Sequence, residues 1–226
     1  MPSCIRVEPI GESASLITLD RPAKRNALSI ALRDEVSDAL EQLANHGSVK
    51  SVVIRGAGDF FSAGFDLKEF AAASADPALH ERLWASSDRF HHGLLRFPLP
   101  LVAAVNGPAL AGGFDLALCC DVRIATTTAR FGHPEFTFAD VVYSPAHELL
   151  GGALARELCL TGRELDAHEA LARGLVSELV DLQELDAAIA RMTQRIARAP
   201  REALLHSKQK AVERARIPAD RPTLEL

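Results

Sequence analysis

The apolar positions change period along the chain, and each change marks an element. Ile5, Val7, Leu16, Ile17 and Leu19 fall in two short alternating runs around Gly11 and Glu12, which predicts an antiparallel hairpin. Leu32, Val36, Leu40 and Leu43 then recur at helical spacing, so a helix runs from an N-cap at Ser29 to about Asn45. Ser51 to Arg55 reads as a β-branched strand, and Leu79, Leu83, Phe90 and Leu94 give the inward face of a helix from Pro77 to Phe97 capped by Asp76. The apolar run Leu101 to Val105 is a short buried strand stopped by Asn106, Gly107 and Pro108, with a helix beginning near Gly112 and Gly113. A strand at Val122 to Ala125 follows, then a helix from Pro145 to Leu160 interrupted at Gly151-Gly152, a short helix from Asp166 to Gly174, and a strand from Leu175 to Val180. Two amphipathic helices occupy about 182 to 199 and 201 to 215, and the last ten residues, rich in proline and charge, read as frayed. Strands alternating with helices define an α/β chain with a helical C-terminal third.

At 226 residues the chain fits one domain, or one with a small appendage, and its 48% hydrophobic and 24% charged content is that of an ordered globular protein. A net charge of -5 with dispersed Lys and Arg argues against nucleic-acid binding. No apolar run approaches the roughly 20 residues that cross a bilayer. The N-terminus lacks a secretory pattern, so a soluble cytoplasmic protein is expected. Cys4, Cys119, Cys120 and Cys159 show no metal-ligand spacing, and the adjacent pair reads as small buried hydrophobes on a helix.

Candidate chemistry gathers at two strand-to-helix turns rich in glycine. In the turn at 106 to 115, Gly112 and Gly113 stand where the helix begins, so unpaired N–H groups point outward and outline an anion or oxyanion site. Asp115, in the first turn, either complements the helix dipole or reaches a bound substrate. The turn at 56 to 68 repeats the arrangement, and the two could converge. Neither has the GxGxxG run or the GK[ST] of nucleotide sites. Lys24 and Arg25 read as cations of a solvated loop, and His91 and His92, adjacent on a helix, as surface or core-edge residues without the i, i+4 spacing of a metal pair. Pro134 keeps His133 out of helical conformation and puts Glu135 at a loop or helix entrance.

Five segments together resemble the crotonase superfamily, the enoyl-CoA hydratase/isomerase family. They are Arg-Pro-Ala-Lys-Arg-Asn-Ala-Leu at 21 to 28, Phe-Ser-Ala-Gly-Phe-Asp-Leu-Lys at 61 to 68, Val-Ala-Ala-Val-Asn-Gly-Pro-Ala-Leu-Ala-Gly-Gly-Phe-Asp-Leu-Ala at 102 to 117, Phe-Gly-His-Pro-Glu at 131 to 135, and Leu-Thr-Gly-Arg at 160 to 163 with its continuation at 169 to 176. The resemblance implies a crotonase-like spiral of ββα units over residues 1 to 180 and a C-terminal helical trimerisation region over 181 to 226, in a homotrimer or hexamer. It implies an acyl-coenzyme A thioester as substrate, with no separate cofactor and no metal. The thioester carbonyl would lie between the N–H groups of Phe65 and Gly112. Such donors stabilise a developing enolate, each by a few kcal/mol. Arg25, Ala27, Ala63, Asp66, Leu67 and Lys68 would line the coenzyme A path, with Lys24, Arg25 and Lys68 near its phosphates.

The resemblance also places the family's two acid/base carboxylates on Asp115 and Glu135. Asp115 is one methylene shorter than the glutamate usual there. The stretch after Glu135 is shorter than the family's, which brings Asp140 and Tyr143 toward the acyl end, while His147 reads as a surface or capping residue. The family's closing helices also extend beyond the point where this chain stops. The leading expectation is an enoyl-CoA hydratase adding water across a 2,3 double bond. The alternatives are an enoyl-CoA double-bond isomerase, with Glu135 as the shuttle, and a non-catalytic acyl-CoA-binding protein.

Overall fold

The computed structural model describes residues 3–215, 217, 218 and 220–226. Its central sheet has six strands in the order β1-β2-β3-β4-β6-β9. The hairpin of β1 (Ile5–Ile10) and β2 (Ala14–Leu19) turns at Gly11, whose φ of 58° suits glycine. From β2 onward every pairing is parallel, through β3 (Ser51–Gly56), β4 (Leu101–Val105), β6 (Val122–Thr126) and β9 (Glu178–Val180). A second, three-stranded sheet orders β5 (Ala109–Leu110), β7 (Arg130–Gly132) and β8 (Leu165–Asp166) as β5-β7-β8.

Parallel strands need crossovers, and helices supply them. The first, α1 (Ile30–Asn45), is capped as its sequence predicts, with Ser29 accepting from Leu32 N at 3.2 Å. Asp66 caps α2 (Leu67–Ala73), and Asp76 caps α3 (Pro77–Leu95) by accepting from the N–H groups of Ala78 and Leu79. The short α4 (Gly112–Cys119) is buried along its whole length, and Cys119 and Cys120 are buried free thiols as expected. After it come α5 (Ser144–Thr161), kinked where Gly151 takes φ 76°, and α6 (Ala167–Ala172), capped by Asp166. The chain ends with α7 (Leu185–Ala197) and α8 (Arg201–Arg214).

Alternate side chains of the central strands point to opposite faces. One set, including Ile17, Ile54, Ala103 and Val105, joins α1, α3 and α4 in the main core. The other, Leu16, Val53, Val102, Ala104 and Ile124, is covered by Leu185, Ala188, Ile189 and Met192 of α7. The C-terminal helical region therefore packs directly onto the sheet.

Three expectations are corrected. The strand forecast from Leu175 pairs only from Glu178, because Leu175 and Val176 turn back to bond Ala170 O. His91 is fully buried rather than at a surface or core edge: it lies on the α3 face that also buries Ser87 and Leu94. The last residues are docked rather than frayed. Thr223 is buried, its N and Oγ1 donate to Asp88 Oδ1 at 2.7 Å, and Ser144 N donates to Leu226 O at 2.5 Å.

Candidate active site

The two glycine-rich turns meet. At Gly64, with φ 85°, an added Cβ would stand 2.5 Å from Ala111 Cβ and 2.9 Å from Gly112 N, so only glycine allows this approach. At Gly112 it would stand 3.0 Å from two ring carbons of Phe65. Between them Ala111 adopts φ 52° and ψ −134°, a conformation that costs an L-residue about 1–3 kcal/mol. The surrounding pairings hold it there: Ala111 N donates to Gly132 O at 2.9 Å, and Leu110 N to Ser62 O at 2.9 Å. The strained residue starts α4 so that Gly112 N–H is one of the helix's unpaired first donors. Among the described residues neither Phe65 N–H nor Gly112 N–H has an acceptor.

A buried guanidinium and a buried imidazole pack against Phe65. The Arg33 guanidinium lies 4.7 Å from the ring centroid and donates to Leu28 O at 2.8 Å and Leu83 O at 3.0 Å. His91 stacks on the same ring at 6.3 Å, with its Nδ1 2.9 Å from Ser87 O. Burial pushes its pKa down, against the opposing pull of Asp115 and the Ser87 carbonyl, which favours the neutral imidazole.

Below the turns sits a three-membered acid/base group. Asp115, in the first turn of α4, is only 2% exposed. The fully buried His133 follows β7 at φ −115° and ψ 77°, held out of a helix by Pro134. Its Nε2 lies 2.8 Å from Asp115 Oδ1, and its Nδ1 lies 3.9 Å from Cys159 Sγ on α5. Burial alone would lower the His133 pKa. The charge and hydrogen bond of Asp115 outweigh it, helped by Cys159 and Glu135, and raise the value well above the ordinary imidazole range. Asp115 therefore favours the protonated, cationic form of His133.

Glu135 lies in the one-turn 3-10 helix Pro134–Thr137, with a buried Oε2 that has no hydrogen-bond partner. Burial and, less strongly, the Asp115 charge raise its pKa to about 7 against the opposing pull of His133. A carboxyl poised at neutrality and lacking a partner suits proton transfer. Ligand-capable atoms of Asp115, His133 and Glu135 lie within 4.8 Å of one another.

These groups open into a cavity of about 620 Å³. Ala63, Phe65, Leu67, Asp115, Glu135 and Asp140, all singled out in the sequence, line it. Gly112 is not itself in the lining, which its neighbour Ala111 enters. Asp66 accepts from Lys68 N at 3.2 Å and pairs with Arg21 at 3.0 Å, so its carboxylate shapes the turn. Lys24, Arg25 and Lys68 are exposed, and Ala27 is half-buried. The cationic loop abuts the first turn, because Ala63 N donates to Arg25 O and Leu28 N to Gly64 O. Tyr143 packs on His147 at 5.5 Å, outside the cavity lining.

The sequence reading missed His133, Arg33 and His91 as members of the site. Signals existed: Arg33 falls in register with Val36, Ser37 and Leu40 on the buried face of α1, and His133 stands two residues past the buried Phe131 of β7.

In this largely parallel sheet the two glycine-rich turns meet beside a cavity lined by Asp115 and Glu135. Residues 10–224 match the enoyl-CoA hydratase/isomerase family, and the chain belongs to it. It is 37% identical over 212 residues to the 2,3-dehydroadipyl-CoA hydratase of Escherichia coli K12, covering 88% of this chain and 80% of that protein. A probable mitochondrial enoyl-CoA hydratase of Dictyostelium discoideum is 38% identical over 186 residues, 80% of this chain and 66% of that one. The chain thus spans about two thirds to four fifths of these relatives. A solved enoyl-CoA hydratase of Bacillus anthracis superposes with a TM-score of 0.87 at 31% identity, covering 92% of this chain and 82% of the other.

Proposed function

We propose that this chain is an enoyl-CoA hydratase. The observation that carries this reading is the unpartnered, raised-pKa carboxyl of Glu135 facing the same cavity as Asp115, beneath two free N–H donors. The thioester carbonyl lies between Phe65 N–H and Gly112 N–H. Glu135 takes a proton from water as the water oxygen bonds to Cβ, the π electrons move into the carbonyl as an enolate, and the carboxyl returns a proton to Cα. Asp115, engaged through Oδ1 by His133, holds the water with its other oxygen. Two donors on an enolate supply a few kcal/mol each, and a positioned acid/base about 10²–10⁴-fold.

Arg25, Lys24 and Lys68 stand toward the coenzyme A phosphates, with Ala27, Ala63, Asp66 and Leu67 along its path. Residues 181 to 226 serve trimer formation, with Leu182, 55% exposed, among the apolar groups left for a neighbouring copy. The four free thiols suit a reducing compartment such as the cytoplasm. No helix among the described residues is long and apolar enough to cross a membrane.

Loss of enoyl absorbance with 2-enoyl-CoA, and gain of one water's mass, tests the reading; absence of both at high enzyme concentration refutes it. The tie between Asp115 and His133 favours a second reading, a double-bond isomerase in which Glu135 alone moves the proton. Conversion of a 3-enoyl-CoA without gain of mass identifies that activity.

A further inference from the structure

The walls of the cavity define which acyl group it takes. Its ionisable side chains are Asp115, Glu135 and Asp140, all carboxylic acids, and among the described residues no Lys, Arg or His lines it. Most of the remaining wall is apolar. Phe65, Phe70 and Trp84 form a connected aromatic face, with centroids 5.5 Å apart for Phe65–Phe70 and 5.7 Å for Phe70–Trp84. Phe138 and Leu224 line it as well, Leu224 brought there by the docked C-terminal segment. At about 30 Å³ per water-sized group, a cavity of about 620 Å³ holds roughly twenty, shared between the acyl chain and the coenzyme A end that Ala63 and Leu67 border. A four-carbon acyl group would leave most of the apolar wall wet.

We infer that this pocket selects uncharged, bulky apolar acyl chains of about eight carbons or an equivalent ring, and rejects acyl groups ending in a carboxylate. This deepens the hydratase reading and rests on it for turnover, though not for binding. A terminal carboxylate entering here would find three acidic groups and no cation, and would lose its water to an aromatic wall. Each methylene buried instead is worth about fourfold in affinity, so four of them give on the order of 100-fold.

The test uses thioesters matched in length. trans-2-Hexenoyl-CoA and 2,3-dehydroadipyl-CoA share six carbons and differ in a methyl against a carboxylate, while 2-butenoyl-CoA and 2-octenoyl-CoA vary length alone. The kcat/KM for hexenoyl-CoA is expected to exceed that for dehydroadipyl-CoA at least 100-fold, and octenoyl-CoA to exceed butenoyl-CoA by a similar factor. Asp140→Lys should raise the dehydroadipyl-to-hexenoyl ratio at least tenfold. Equal or better use of dehydroadipyl-CoA, or a preference for butenoyl-CoA, overturns the inference. Calorimetry with saturated hexanoyl-, octanoyl- and adipyl-CoA separates the two readings. If no enoyl thioester turns over, the hydratase reading fails, and the binding order still decides the pocket: octanoyl over hexanoyl with adipyl weakest upholds it, any other order overturns it.

Discussion

Replacing His133 with alanine removes the cation from a pair that is buried on both sides, with Nε2 and Oδ1 2.8 Å apart. At an effective dielectric of about 20 the attraction at that distance is about 6 kcal/mol before desolvation. Desolvation of both ions offsets much of it in the native protein. In the variant only one ion leaves, and stranding the other in a buried site costs about 3–5 kcal/mol. The pH dependence carries the sign. His133 has its folded pKa raised to about 10, so its contribution is complete below the unfolded value near 6.5 and disappears as pH rises through about 10. Guanidinium unfolding at pH 6.5, 8 and 10 should therefore show a gap of about 3–5 kcal/mol between native protein and His133→Ala at pH 6.5, narrowing steadily toward pH 10. A gap below about 1 kcal/mol at pH 6.5, the size of an ordinary hydrogen bond, or one that fails to narrow, refutes the ion-pair assignment. His133→Gln separates position from charge. An amide can still donate to Asp115, so kcat should stay within about tenfold of native, whereas the alanine variant, with Asp115 free to move about 1 Å, loses on the order of 100-fold.

Glu135→Gln should lower kcat by about 10²–10⁴-fold and bring a stability gain. The Glu135 pKa is raised to about 7, so the folded protein loses stability as pH climbs from about 4.5 to 7, and at pH 8 the glutamine variant should be more stable by about 1–3 kcal/mol in denaturant titration. A native kcat/KM profile with no bend near pH 7 would count against Glu135 as the proton carrier. In Gly112→Ala the new Cβ meets the Phe65 ring at 3.0 Å and spreads the two donors, so kcat for an enoyl thioester should fall about 100-fold while saturated acyl-CoA binding changes little. Asp66→Ala removes both the α2 cap and the Arg21 contact, and should cost about 1–2 kcal/mol by thermal unfolding.

Periodic elements were legible because their signal is local. Ser29, Asp76 and Asp166 mark helix starts through bonds to N–H groups two or three residues away, and the interruption at Gly151 is visible as paired glycines. The short strands β5, β7 and β8 carry too few residues to show a period, and they form because distant segments pair. The convergence of Gly64 with Ala111 is of the same kind: each turn is readable alone, but their contact depends on the register of β3 beside β4. Buried polar groups were the hardest. Arg33 and His91 look like exposed residues until Leu28 O, Leu83 O and Ser87 O, acceptors unknowable from composition, are placed around them. The docking of Thr223 on Asp88 across 135 residues lies beyond any local pattern.

The buried acid/base pair and the exposed lining of the same cavity differ in how tightly they are packed. Asp115 and His133 are buried, whereas Leu67 and Phe138, which line the same cavity as Asp115, are 66% and 70% exposed. Exposed positions tolerate exchange with changes typically within about 0.5 kcal/mol, while core positions do not. Over generations the exposed lining can thus drift among side chains and re-fit the cavity to new acyl groups, while the inherited chemistry beneath it stays constant.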